Sequence, residues 1–167
     1  DSMRLTAIVP EYRQIAENIH EKVIKLNKGT RAPDFDLYDI DSNLVGLKDF
    51  RGKFLYIGFY TTLSFSCKED IEPLKALRKK HGHAYSIVSV FIDDDFRAAV
   101  DFMRDNGCKW TLLHYGNRPE ILKQYDVRAY PTYYLIDPDG NLSMSPAPGP
   151  DEDFETRFYE VIKTWRK

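Results

Sequence analysis

Apolar residues at positions 15, 19, 23 and 26 recur at steps of four and three, which predicts a helix over 11–26 ending at Asn27 to Gly29. Phe35 and Leu37 then alternate with polar neighbours, and Asp41-Ser42-Asn43 supplies turn chemistry before 44–47, so a small hairpin follows. The run KFLYIGFY at 53–60 is apolar on both alternating faces, as in a strand buried on both sides. From Cys67 onward Ile71, Leu74 and Leu77 define one helical stripe, so the strand hands over to a helix within 64–67. A second buried strand is predicted at 85–92, then an acid-led helix from Phe96 to about Asn106, stopped by Gly107. Beyond it, 110–113 reads as a short strand, 118–125 as a short helix and 132–136 as a strand. The turn Asp137-Pro138-Asp139-Gly140 returns the chain as an antiparallel partner over 141–144. The sequence SPAPGP at 145–150 should break regular structure, and a last helix over 151–165 carries Phe154, Phe158, Val161 and Trp165 on its core face. Strands alternating with helices and closing on a hairpin and a helix predict an α/β sandwich with a mixed sheet.

Composition narrows the function more than the fold. The chain has 167 residues, 43% of them hydrophobic, enough for one domain with a sizeable core. A formal net charge of -2 gives no support for nucleic acid or an acidic membrane surface as partner. No stretch approaches the roughly 20 apolar residues of a membrane span. The opening Asp1-Ser2-Met3 reads as a cut end, so membrane attachment is expected only through a removed anchor.

Two cysteines, Cys67 and Cys108, are too few for a disulfide framework. Cys67 falls at a helix N-terminus, where unpaired N–H groups and the positive dipole end stabilise a thiolate, and it is the candidate reactive thiol. The competing reading is a buried filler, since free cysteine is among the most buried residue types. Cys108, at the entrance to a strand, reads first as core filler and second as a redox partner of Cys67. His20, His81, His83 and His114 form no metal pattern and read as surface residues. No glycine-rich phosphate loop or Ser-His-Asp spacing is present, so no cofactor or metal is expected. The aromatics Tyr56, Phe59, Tyr60, Tyr130, Tyr133 and Tyr134 fit strand faces first and a binding groove second.

Three motifs in order carry a family resemblance. Gly29 to Lys53, GTRAPDFDLYDIDSNLVGLKDFRGK, is similar to the entry segment of TlpA-like thiol-disulfide oxidoreductases of the thioredoxin-like superfamily, related to AhpC/TSA proteins. The segment 53–77 resembles their strand, W-C-x-x-C and helix, with Tyr60 on the first aromatic, Leu63 on the tryptophan, Cys67 on the second cysteine and Lys68 on the basic residue. Val127, Pro131, Thr132 and LIDPDGNL resemble the closing V-x-x-x-P-T-x-x-L-I-D-x-x-G pattern. Serine at position 64 stands where the attacking cysteine belongs, so the site reads as a degenerate S-x-x-C.

The resemblance implies a thioredoxin-like sandwich over 29–167: a central mixed sheet flanked by helices, with a small hairpin extension, preceded by a helix or linker over 1–28. It also implies a cis bond at Pro131, which would shape a groove with Tyr130, and a proton-handling carboxylate at Asp94, whose plainer reading is a helix cap. The expected function is thiol-disulfide exchange with an extracytoplasmic protein thiol or disulfide, in the bacterial periplasm or cell envelope. It would run through Cys67 with Ser64 as hydrogen-bond neighbour, and turnover would be weak, because a single cysteine forms a mixed disulfide but cannot release it internally. Two alternatives stay open: a redox-silent module binding a protein or peptide in the same groove, and a peroxidase. The latter rests on peroxiredoxins, which share the fold and use P-x-x-x-T/S-x-x-C. Ser64 and Cys67 match that spacing, while Tyr60 replaces its proline.

Overall fold

The structure, a computed structural model, describes residues 26–165; the helix expected over 11–26 lies outside them, apart from Leu26. Seven strands form one sheet in the order β2-β1-β5-β4-β3-β6-β7. They are β1 Asp36–Asp39, β2 Leu44–Gly46, β3 Phe54–Tyr60, β4 Tyr85–Phe91, β5 Thr111–His114, β6 Thr132–Ile136 and β7 Leu142–Ala147. Strands β3, β4 and β5 run parallel, while β6 pairs antiparallel with β3, β7 with β6, and β1 with both β5 and β2. The sheet is mixed, as the alternation of elements implies. Helices α1 Phe65–Glu69, α2 Ile71–His81, α3 Phe96–Asp105, α4 Glu120–Gln124 and α5 Phe154–Trp165 cover it, and a 3-10 turn at Leu47–Phe50 leads into β3.

Strand β3 is the axis of the molecule. All seven of its residues are buried. Its side chains alternate between two cores: Phe54, Tyr56 and Tyr60 join one with α2, α3 and α5, and Leu55, Ile57 and Phe59 join the other with α4 and the N-terminal hairpin. Gly58 lies opposite Tyr133 of β6, and a Cβ there would come within 2.6 Å of the Tyr60 ring and 2.7 Å of the Tyr133 ring. Only glycine lets those two tyrosines close over the strand.

Two elements depart from the sequence reading. The helix expected to run unbroken from Cys67 is divided at Asp70, which ends α1 and begins α2. Pro73 explains the division, because it has no N–H to give the Glu69 carbonyl four residues earlier and its ring crowds that oxygen. Likewise β7 continues through Ser145-Pro146-Ala147 where a break was expected. This strand is the sheet edge, where a proline forfeits no ladder hydrogen bond, and its pairing with β6 is irregular in register.

Candidate functional site

Three loops meet at one edge of the sheet. Residues 61–64 leave the C-terminal end of β3, Asp93 follows the parallel strand β4, and Tyr130-Pro131 precede the antiparallel strand β6, whose Thr132 is level with Phe59. The Tyr130–Pro131 peptide bond is cis. In open α/β sheets this carboxyl edge is where loops are free to carry chemistry.

Ser64 is the N-cap of α1. Its Oγ accepts from the Cys67 backbone N–H at 3.3 Å and donates to the Tyr130 carbonyl at 3.2 Å. One hydroxyl thus caps the helix and ties it to the Tyr130-Pro131 loop. On either side stand Leu63, 90% exposed, and Phe65, 74% exposed.

Cys67 sits in the first turn of α1 with its side chain wholly buried. Burial pushes its thiol up from the ordinary value, hydrogen bonds with the Thr61 backbone and Ser64 oppose the rise, and Asp70 and Asp93 add to it. The helix dipole is therefore not the dominant influence, because desolvation of a thiolate outweighs a short helix end. Cys108 is a free thiol elsewhere, half-buried beyond α3 in the field of Lys75 and Glu72 of α2, and pushed up to about 11 by burial.

The carboxylate that reaches the 61–64 loop is Asp93, not Asp94. Its oxygens accept from the Thr62 N–H at 3.1 and 3.2 Å and from the Thr62 hydroxyl at 2.6 Å. Asp94 is exposed and faces Tyr115, and the α3 cap is Asp95, so the plainer reading of Asp94 as the helix cap is corrected. The local order of three consecutive acids cannot be read from composition, since each satisfies the same helix-start preference. His114, expected at the surface, is buried: it stacks on Phe96, takes the Gly116 N–H at Nδ1 and donates from Nε2 to the Asp93 carbonyl, which steadies the same loop.

Sequence reasoning missed Asp70. Only 9% exposed, it accepts from the Tyr133 hydroxyl at 2.7 Å, and Tyr133 in turn accepts from the Tyr60 hydroxyl at 2.7 Å. Ser89, which accepts from the Trp110 ring N–H at 2.8 Å, lies against Tyr60. Burial lifts the Asp70 carboxyl to about 6, Tyr133 opposes that, and Asp151, Glu152 and Glu69 add to it. A signal was available: Asp70 occupies the apolar stripe of Cys67, Ile71, Leu74 and Leu77, where an acid is out of place unless buried for a reason. Among the described residues no group of His, Cys, Asp and Glu is arranged to hold a metal, and no helix is long and apolar enough to cross a membrane.

A capped helix end beside a cis-proline loop, on the carboxyl edge of this mixed sheet, defines a thioredoxin-like protein. The chain belongs to the AhpC/TSA family, whose pattern matches residues 28–145. It is 30% identical over 119 residues to the thiol-disulfide oxidoreductase ResA of Bacillus subtilis, a match that spans 70% of this chain and 65% of that protein. Among solved structures it is similar to a chain assigned as a thiol-disulfide oxidoreductase from Bacteroides vulgatus, with a TM-score of 0.75 and 28% identity, covering 82% of this chain and 98% of that one. A thiol-disulfide oxidoreductase from Bacteroides fragilis shares the fold, with a TM-score of 0.70 at 22% identity, over 79% of this chain and 99% of that one.

Proposed function

We propose that this protein is a thiol-disulfide oxidoreductase-like module, which holds a protein thiol or disulfide at the Ser64–Pro131 edge and exchanges with it only weakly, through Cys67. The observation that carries this reading is the pairing of a half-buried Ser64, its hydroxyl tied to the Tyr130 carbonyl, with a fully buried Cys67 whose thiol is pushed up. Thiolate is the attacking species, so a raised thiol under a protein roof reacts slowly. When it does react, Cys67 Sγ bonds to one sulfur of the partner's disulfide and the other sulfur leaves as a thiolate. Release then requires an external thiol to attack the mixed disulfide, which returns Cys67 to its reduced state and leaves that thiol bonded to the partner.

A second reading, redox-silent binding of a protein partner, is favoured by the exposure of Leu63 and Phe65 beside the Ser64 cap, large apolar side chains that a docked polypeptide would cover. The Ser64–Cys67 spacing fits the peroxidase, but its thiolate must meet peroxide directly, whereas Cys67 is wholly buried and the shielding proline is here the buried Tyr60. We further propose action in the bacterial periplasm or cell envelope, with residues 29–167 as the working domain and 1–28 as a preceding helix or linker; the support is the bacterial source of the relatives.

The pH profile of Cys67 alkylation in a Cys108→Ser background tests the chemistry. Slow reaction with a midpoint above the free-thiol value of about 8.5 is expected. A midpoint below it would mean an activated enzyme, and no alkylation short of unfolding would leave binding alone. Ser64→Cys should add disulfide reductase activity that the parent lacks.

A further inference from the structure

Asp93 is held from two sides. Its carboxylate takes the Thr62 N–H and hydroxyl, and the Thr61 hydroxyl at 3.4 Å, and so closes the loop that leaves β3. Its backbone carbonyl takes the Nε2–H of His114, the last residue of β5. The other ring nitrogen, Nδ1, accepts from the Gly116 N–H at 3.1 Å, and the ring lies on Phe96 with centroids 4.9 Å and planes 23° apart. An N–H can only donate and a carbonyl can only accept, so these partners fix the tautomer and leave neither nitrogen to spare. The ring is only 8% exposed, where each of these pairings is costly to lose. One imidazole thereby joins the 61–64 loop, through Asp93, to the start of α3 and to the turn after β5.

The loop so closed is the one that covers Cys67. Its Thr61 backbone and Ser64 hydroxyl hydrogen-bond with the thiol, and Ser64 also takes the Cys67 N–H. We propose that His114 is a positioning residue for this site: through Asp93 and Thr62 it locks the 61–64 loop over Cys67, and release of the lock admits a partner's sulfur. The proposal deepens the exchange reading and rests on it. The joint is the Thr62 hydroxyl, whose 2.6 Å bond to the carboxylate is the shortest that Asp93 makes to the loop. Opening the loop does two opposed things to the thiol. Losing Thr61 and Ser64 removes the hydrogen bonds that hold it down, and admitting water removes the burial that holds it up. Burial is the larger influence, so an unlocked Cys67 is both easier to reach and easier to ionise.

The test alkylates the full chain with iodoacetamide and reads Cys67 and Cys108 separately by mass spectrometry. His114→Phe keeps a ring on Phe96 and removes both polar atoms. Cys67 should then label about tenfold faster, the factor that about 1.4 kcal/mol of lost pairing supplies, while the Cys108 rate holds. The midpoint of the Cys67 pH profile should fall toward the free-thiol value of about 8.5. His114→Gln, whose amide keeps a donor for the Asp93 carbonyl, should return most of the protection. Thr62→Val, at the far end of the chain of bonds, should give the same selective rise and Thr62→Ser should not, a pair that decides the matter if His114→Phe does not fold. Low urea should leave the faster labelling unchanged, because a local opening exposes little surface. Equal acceleration of both cysteines, or a steep urea dependence, would mean lost stability in place of positioning and overturn the proposal, as would unchanged Cys67 labelling in His114→Phe and Thr62→Val. A parent midpoint below about 8.5 would sink the weak-exchange reading while the variants still report on the lock, and indifferent variants would sink the lock and leave that reading standing.

Discussion

Strand β3 presents the same backbone to two cores, and the cores differ in kind. On one face Leu55, Ile57 and Phe59 meet Val88, Val90, Leu113 and Ile136, a packing of aliphatic and aromatic carbon. On the other, Tyr56, Tyr60 and Tyr133 bury phenols among Phe91, Phe154 and Phe158; the Tyr60 and Tyr133 hydroxyls form a chain that ends on Asp70, while Tyr56 donates to the Pro148 carbonyl. The first face also buries two phenols, but Tyr125 and Tyr134 donate to the backbone carbonyls of Pro33 and Tyr125, so their hydroxyls serve the fold alone. The second accepts the cost of burying polar groups, including a Tyr85 hydroxyl without a partner among the described residues, and through Tyr60 and Tyr133 it fixes a carboxylate at the site edge. Tyr130 packs against both, which places the Ser64 tether where the two cores meet.

The largest expected effect separates the faces by stability alone. Phe59→Ala leaves a void against Tyr125 and should cost about 3–5 kcal/mol in denaturant unfolding. In surviving folded protein it should leave the Asp70 titration unmoved; a shift there would mean that the faces are coupled and the contrast false. Tyr133→Phe inverts the pattern. Losing one hydroxyl should cost about 1–3 kcal/mol, because the Tyr60 donor is left unpaired, and it should raise the Asp70 carboxyl above about 6, read by carboxyl ¹³C titration. An unchanged midpoint would show that the tyrosine chain does not govern Asp70.

This difference also explains what the sequence revealed. The continuous apolar run at 53–60 announced a doubly buried strand, and the order of elements announced the mixed sheet, because periodicity and turn residues are local signals. The family motifs located Ser64, Cys67 and Pro131 at one edge. Periodicity treats Tyr56, Tyr60 and Tyr133 as interchangeable with phenylalanine, so the hydroxyl chain stayed hidden until the strands were paired. Asp70 was hidden for a related reason: its meaning depends on Tyr133, 63 positions away in sequence. Asp93 and Asp94 could not be distinguished because their difference lies in which way a loop turns after β4, and nothing nearby in the chain records that.

The smallest effect concerns pH. Asp70 has a carboxyl lifted from 3.8 to about 6 in the folded protein. Its folded-state affinity for protons therefore exceeds that of the unfolded chain, and stability must fall as pH rises through the interval from about 4 to about 6. Below that interval the acid is neutral in both states and nothing is lost; above it the native state carries an ionised group in a poor setting. Asp70 keeps 9% of its surface exposed, so solvent screens part of the penalty and about 1–2 kcal/mol is expected rather than the full linkage value. Asp70→Asn should flatten this segment of the stability profile and gain that amount at pH 7, measured by urea unfolding at successive pH values. If the parent instead gains stability between pH 4 and 6 and the asparagine variant loses it, Asp70 is stabilised in its charged form by contacts other than Tyr133. The polar face would then be a satisfied core like its neighbour, and not one that holds a buried acid at the site edge against the cost of desolvation.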